Sequence, residues 1–258
     1  MTIKKYIPNT ITSVSVFCGT AGVVFALQGR PDYAFILMLV AAVCDFCDGL
    51  AARLLHAYSP MGNELDSLAD MVSFGVLPTA ILIGTMQKLG NGGWTEVVPV
   101  FLAMMSALRL AKFNVDERQS TDFRGIATPT SAMICGSLCY YASVHPESVL
   151  ASLSGSNWFL PVLAVVLGLL LVSEIPMFGM KIAKGHKLLD AKRIVFLCLA
   201  AASILAVAVL GLNWSLAVLL VFCVYILVNL AVAPFRKRCP LPGEGEPAPK
   251  PVQPGSDR

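Results

Sequence analysis

Apolar residues in this chain do not alternate with polar ones as they would on a half-buried strand or a surface helix. They run in blocks of roughly twenty residues separated by short polar stretches. Eight such blocks lie near residues 9–27, 33–56, 66–89, 95–115, 129–145, 158–180, 192–210 and 213–233. Each suits a helix crossing the hydrocarbon core, because a helix rises about 1.5 Å per residue. The fifth is short and is interrupted by Gly136, Tyr140 and Tyr141. Lys4 and Lys5 precede the first block, but no small-residue cleavage site leads into polar sequence, so it reads as a retained span. Pro78, Pro161 and Pro176 fall inside blocks and read as kinks. The pattern stops after residue 238. Residues 239–258 hold six prolines with no apolar period and read as a disordered tail on a membrane domain spanning 1–238.

Composition agrees with the pattern. Hydrophobic residues make up 56% of the 258 positions and charged residues only 14%, where a soluble domain carries about a quarter charged. The expected fold is therefore all-α, a polytopic membrane bundle of about eight transmembrane helices. The net charge of +3 matters less than its distribution. If the N-terminus is cytoplasmic, 17 of the 19 Lys and Arg residues fall on the cytoplasmic side, and only Arg30 and Lys88 fall opposite. The positive-inside rule then places both termini in the cytoplasm and favours an even number of spans. No motif for reading nucleic acid is present.

The scarce acids carry the chemistry. Asp45 and Asp48 sit inside the second apolar block, and Asp66 and Asp70 open the third. Ionisable groups at membrane depth are costly and mark functional sites. Interhelical hydrogen bonding would account for one such acid more readily than for four. Asp45, Gly49 and Arg53 repeat at i, i+4, i+8, with Asp48 and Ala52 on the same face. Gly62, Asp66 and Asp70 form a second stripe on the following helix. Four converging carboxylates repel one another unless a cation neutralises them, and an all-oxygen set suits Mg²⁺ or Mn²⁺, with enough ligands for two ions. Gly49, Ala52 and Gly62 leave room for a bulky ligand, and Arg53 can grip a phosphate with two parallel hydrogen bonds. This describes a site for phosphoryl or pyrophosphate chemistry, although the same acids could line the path of a divalent-cation transporter.

The stretch CDFCDGLAARLLHAYSPMGNELDSLADMVSFG contains Asp-x2-Asp-Gly-x2-Ala-Arg-x8-Gly-x3-Asp-x3-Asp, with fixed positions Asp45, Asp48, Gly49, Ala52, Arg53, Gly62, Asp66 and Asp70. It resembles the full signature of the CDP-alcohol phosphotransferase family. The flanks IPNTITSVSVFCG, RLAKFNV and FRGIATPTSA are similar to segments of the phosphatidylserine synthase branch, with Lys112 where an Arg is common. The resemblance covers residues 5 to 135 well and the last three spans only in hydropathy.

That resemblance implies a six-helix core with extra helices, in the inner membrane, and transfer of a phosphatidyl group from CDP-diacylglycerol to L-serine with release of CMP. By analogy, Asp45, Asp48, Asp66 and Asp70 hold the metals, and Asp70 is the candidate general base. Asn9, Thr12, Gly49, Ala52, Arg53, Ser59 and Gly62 are expected around CDP-diacylglycerol. Arg109, Lys112, Asn114 and Arg124 are candidates for binding serine. The family also implies a homodimer with a cytoplasmic active site. A glycerol phosphate or inositol phosphate acceptor is the alternative within the same chemistry.

Cys44 and Cys47 have redox-motif spacing, but they lie in an apolar helix and read as small packing residues. His56 could approach the site from the end of its helix. The basic cluster from Lys181 to Arg193 reads as a topology signal.

Overall fold

A computed structural model of the chain describes residues 3–90, 93–115, 123–177 and 191–232. The tail and most of the basic cluster lie outside them. Among the described residues, each of the eight apolar blocks contains helix. The first two form a long hairpin, α1 (Ile3–Leu27) and α2 (Pro31–Leu54), which turns at Gly29 in the left-handed region (φ 73°). Pro31 starts α2 at a position where its missing N–H costs nothing, and Asp32 complements the positive end of the helix. The third block is one continuous rod with a defect in it. α3 (Pro60–Asp70) leads through a π-helical segment, Met71–Val76, into α4 (Leu77–Lys88). Next come a short 3₁₀ turn (Trp94–Val97), α5 (Val100–Val115), α6 (Thr128–Val144) and the surface helix α7 (Val149–Ser154). The chain continues through α8 (Phe159–Val172) to the final hairpin of α9 (Ala191–Val209) and α10 (Trp214–Val232).

Among the described residues, four stretches are long and apolar enough to cross a membrane unaided: Tyr6–Leu27, Pro31–Leu54, Pro60–Lys88 and Trp214–Ala231. Phe159–Val172 and Ile194–Val209 are apolar but shorter. The outward surface is what a bilayer requires. Phe17, Phe46 and Leu54 are each at least 70% exposed, and apolar side chains project in the same way along α5, α8, α9 and α10. Trp94 and Trp158 meet edge to face at one end of the bundle, as interfacial aromatics do.

α6 explains its own weak hydropathy. It is the central helix, and its Ser131, Cys135, Ser137 and Cys139 are buried. Its neighbours are protein rather than lipid, so small and mildly polar residues replace the Leu and Ile that a lipid-facing span carries. Phe35 and Met38 of α2 press against Gly136, where an added Cβ would sit 2.4 Å from both. Elsewhere α1 and α4 touch backbone to backbone. A Cβ on Gly84 would lie 1.8 Å from the Ala26 carbonyl oxygen, so no larger residue fits there.

One expectation is corrected. The sixth block is helical only to Val172, and Pro176 does not kink a span. Residues Pro176–Met177 leave the helix and pair antiparallel with Phe123–Arg124, a two-residue ladder among described elements that are otherwise helical. Gly125, at φ 71°, makes this possible: a Cβ there would lie 2.4 Å from the Leu171 carbonyl oxygen. Its N–H donates to Ile175 O at 2.9 Å, and Ile126 N–H donates to Leu170 O at 3.2 Å. The loop before α6 is thereby fastened to the end of α8.

Candidate active site

The two acidic stripes meet. Asp45, Asp48 and Asp66 each offer a carboxylate oxygen, and these atoms lie within 4.8 Å of one another. Asp45 sits centrally, with its carboxyl against those of both Asp66 and Asp70. Asp48 is buried, and Thr12 of α1 donates its hydroxyl to Asp48 Oδ2 at 2.5 Å, which fixes that carboxylate from the side. Asp70 stands apart from the compact trio. Its Oδ1 is buried and has no hydrogen-bond partner among the described residues.

Beside the trio lies a cavity of about 180 Å³ between the N-terminal half of α1, the end of α2 and the start of α3. All seven residues expected around the nucleotide, Asn9, Thr12, Gly49, Ala52, Arg53, Ser59 and Gly62, line it, together with Asp48 and Asp66. Local rules shape its rim. Ser59 caps α3 by accepting the Gly62 N–H at 3.0 Å, with Pro60 at the first helical position. Gly62 is backed by Ser59 Oγ and Asn9 Oδ1, whereas Gly49 has open space where a side chain would begin. His56 adopts φ 49° in the turn between α2 and α3 and is absent from the lining. Pro8, Ala57, Tyr58 and Asn63 also line the cavity and had not been anticipated. Three of these four fall in the variable spacer between the motif's fixed positions, so only their placement between the two acidic stripes could have pointed to them.

The donor set fits a hard divalent cation. All the ligand atoms are carboxylate oxygens, and among the described residues the ion pairs are Arg30–Asp32 and Lys112–Glu174, neither of which neutralises the four acids. Unpaired charges of one sign at this depth need a cation.

The four residues expected to bind serine separate on inspection. Arg109 of α5 is 9% exposed, and its Nε donates to the Ile126 carbonyl at 2.6 Å. Its Nη groups make no hydrogen bond among the described residues. Arg109 and Asp70 lie within electrostatic range without closing into an ion pair. Lys112 is engaged by Glu174, and Asn114 Nδ2 donates to Ser67 Oγ at 3.0 Å, tying α5 to the motif helix. Arg124 lies in the short ladder opposite Pro176. Neither Ser67 nor Glu174 stood out in the sequence, since each gains its role only from a partner distant along the chain.

The π-helical segment directly after Asp70 is the other unforeseen feature. Here the rod passes close to two neighbours at once: a Cβ on Gly19 of α1 would lie 2.6 Å from Ser73 Oγ, and one on Gly75 would lie 3.2 Å from Ser106 Cβ of α5. One extra residue in the turn re-aims the helix at the point where Asp70 must face inward.

Comparison with known proteins agrees with this geometry. The family profile described as CDP-alcohol phosphatidyltransferase matches residues 5–170. The chain is 35% identical over 181 residues to a Mycobacterium leprae protein named CDP-diacylglycerol–serine O-phosphatidyltransferase, covering 67% of this chain and 58% of the relative. A Helicobacter pylori protein of the same name is 32% identical over 197 residues, covering 74% and 80% respectively. A third relative with that name, from Saccharomyces cerevisiae, is 35% identical over 152 residues, covering 52% and 54%. The matched stretch thus spans less than two thirds of the mycobacterial and yeast relatives. With the profile match extending over most of the chain and the motif acids gathered at one site, this protein belongs to the CDP-alcohol phosphatidyltransferase family.

Proposed function

We propose that this protein transfers the phosphatidyl group of CDP-diacylglycerol to the hydroxyl of L-serine, releasing CMP. The observation that carries this reading is the position of Asp70. Its Oδ1 is buried and unpartnered, and its carboxyl stands against that of Asp45 and within electrostatic range of the Arg109 guanidinium. A small zwitterionic alcohol fits that arrangement, with its carboxylate on the Arg109 guanidinium and its hydroxyl directed at Asp70.

Asp45, Asp48 and Asp66, with Asp70, would hold Mg²⁺ or Mn²⁺, in keeping with the metal dependence of the family. Bound there, the metal would supply charge stabilisation on the diphosphate oxygens. The rest falls to the chain's own side chains. Arg53 grips the diphosphate, while Asn9, Thr12 and Ser59 surround the cytidine side of the cavity and the open face of Gly49 lets the nucleotide approach the helix. Asp70 accepts the serine hydroxyl proton. The serine oxygen forms a bond to the lipid-side phosphorus, and the bond from that phosphorus to the bridging oxygen breaks, so CMP departs with that oxygen.

A phosphorylated acceptor is less well served. Arg109 is the cation with an open fork beside Asp70, and the nearest alternative on α5, Lys112, is already engaged by Glu174. The reading places the site at the cytoplasmic face of the inner membrane, in accord with the 17-to-2 distribution of basic residues, and includes the homodimer typical of the family.

The test is CMP release by purified protein with CDP-diacylglycerol, Mn²⁺ or Mg²⁺, and one acceptor at a time. Release with serine alone is expected. Release only with glycerol phosphate or inositol phosphate would transfer the assignment to that acceptor. Silence with every acceptor, alongside metal flux into vesicles, would replace the enzyme with a transporter.

A further inference from the structure

The final helix lies outside the stretch matched by the family profile, which ends at residue 170, yet it reaches the acceptor side of the site. α10 is strongly apolar and carries a buried polar residue, Asn229, at 2% exposure. Such a group in a membrane helix needs a purpose or a partner. Asn229 Nδ2 donates to the Tyr225 carbonyl at 2.8 Å, one turn back. Leu219, Ile226 and Asn229 follow one stripe of the helix, and Leu219 and Ile226 belong to the main core, so this stripe faces protein rather than lipid.

The level of Tyr225 follows from packing. Where α10 begins, the Trp214 ring lies 5.1 Å from that of Tyr140 near the end of α6 and stacks on Phe35 at 5.7 Å. Tyr225 lies about 16 Å further along α10. The same number of residues back along α6 from Tyr140 reaches Pro129, in the first turn of that helix. Just before that turn stands Ile126, whose carbonyl holds Arg109. Tyr225 and Arg109 are accordingly within electrostatic range of each other. The Phe196 ring of α9 meets Tyr225 nearly at right angles, with centroids 5.7 Å apart, and fixes the phenol plane.

We propose that α10 completes the acceptor site, with Tyr225 as a positioning residue that holds the Arg109 guanidinium toward Asp70. Ile126 O fixes Nε, the Phe113 ring lies 5.8 Å from the guanidinium carbon, and Tyr225 approaches from the α10 side. The fork is left aimed at an incoming carboxylate. The additional helices thus serve acceptor recognition as well as membrane anchoring. This inference rests on the proposed role of Arg109.

The test is steady-state kinetics of the full-length protein in detergent, comparing Tyr225→Phe and Asn229→Leu with the parent. Tyr225→Phe keeps the ring and removes only the hydroxyl. It is expected to raise the serine KM about fivefold, as the electrostatic hold of the phenol on the guanidinium is lost, while the CDP-diacylglycerol KM and kcat stay within about twofold. Asn229→Leu should move the serine KM in the same direction by a smaller factor. An unchanged serine KM in Tyr225→Phe, or a parallel change in both KM values and kcat, overturns the inference. Parent activity separates the two levels of the argument. If the parent releases no CMP with serine, the acceptor reading and this inference fall together. If it does, and Tyr225→Phe leaves the serine KM unmoved, only the role of α10 falls.

Discussion

In the proposed reaction, Asp70 and Arg109 divide the work of the acceptor side between a base and a cation. Asp70→Asn keeps the shape and a ligand oxygen but cannot accept a proton at neutral pH. Turnover is expected to fall by about 10²–10⁴, the usual contribution of a general base, while Mn²⁺ binding followed by electron paramagnetic resonance persists. Serine transfer at the parent rate in that variant would remove Asp70 from the base role. Arg109→Ala is expected to raise the serine KM more than tenfold, since a charge-assisted bidentate contact is lost. Lys112→Ala should change it by no more than about threefold, because an exposed pair such as Lys112–Glu174 contributes ~1 kcal/mol or less. Equal effects of the two substitutions on serine KM would contradict the assignment of the carboxylate contact to Arg109.

At the scale of elements, the site depends on how closely α1 approaches the rod formed by α3, the π-helical segment and α4. Thr12 reaches Asp48 across one part of that contact, Gly19 admits Ser73 in the middle, and Gly84 meets the Ala26 carbonyl at the far end. Gly84→Leu is expected to destabilise the bundle by about 1–3 kcal/mol through overpacking, read as a lower thermal midpoint in detergent. An unchanged midpoint would show that the helices can separate there without cost. Much at this scale was legible in the sequence. The twenty-residue blocks located the spans, and i, i+4, i+8 spacing placed the acids on facing stripes. The π-helical turn after Asp70 was not legible, since it arises from packing of Ser73 and Gly75 against other helices and leaves no periodic mark. The end of α8 at Val172 was hidden for a similar reason. Apolar residues resume at Ile175 and Met177, so the block reads on past Glu174 and Pro176, and the pairing of this segment with the loop at 123–126 shows only in the structure.

For the whole molecule, the sequence motif singled out the four acids, and the residues expected around the nucleotide line one cavity together with Asp48 and Asp66. It could not rank the cations. Arg109, Lys112 and Arg124 are equally basic on paper, and their partners, the Ile126 carbonyl and Glu174, come from distant parts of the chain. The relation of α10 to the site was invisible for the same reason, because Tyr225 reads as an ordinary residue of an apolar span. The proposed reaction requires a cytosolic nucleotide and amino acid, so residues near Arg53 must face the cytoplasm and those near Trp94 the opposite side. A cysteine placed at Tyr58 should react with an impermeant thiol reagent only in inverted vesicles, and labelling in right-side-out vesicles would reverse the orientation. The most direct measurement of the central claim follows the oxygen. Serine labelled with ¹⁸O in its hydroxyl is incubated with CDP-diacylglycerol and metal, and the products are analysed by mass spectrometry. Attack by the serine oxygen on the lipid-side phosphorus yields phosphatidylserine carrying the label and unlabelled CMP in equal amounts; CMP without labelled phosphatidylserine would contradict it.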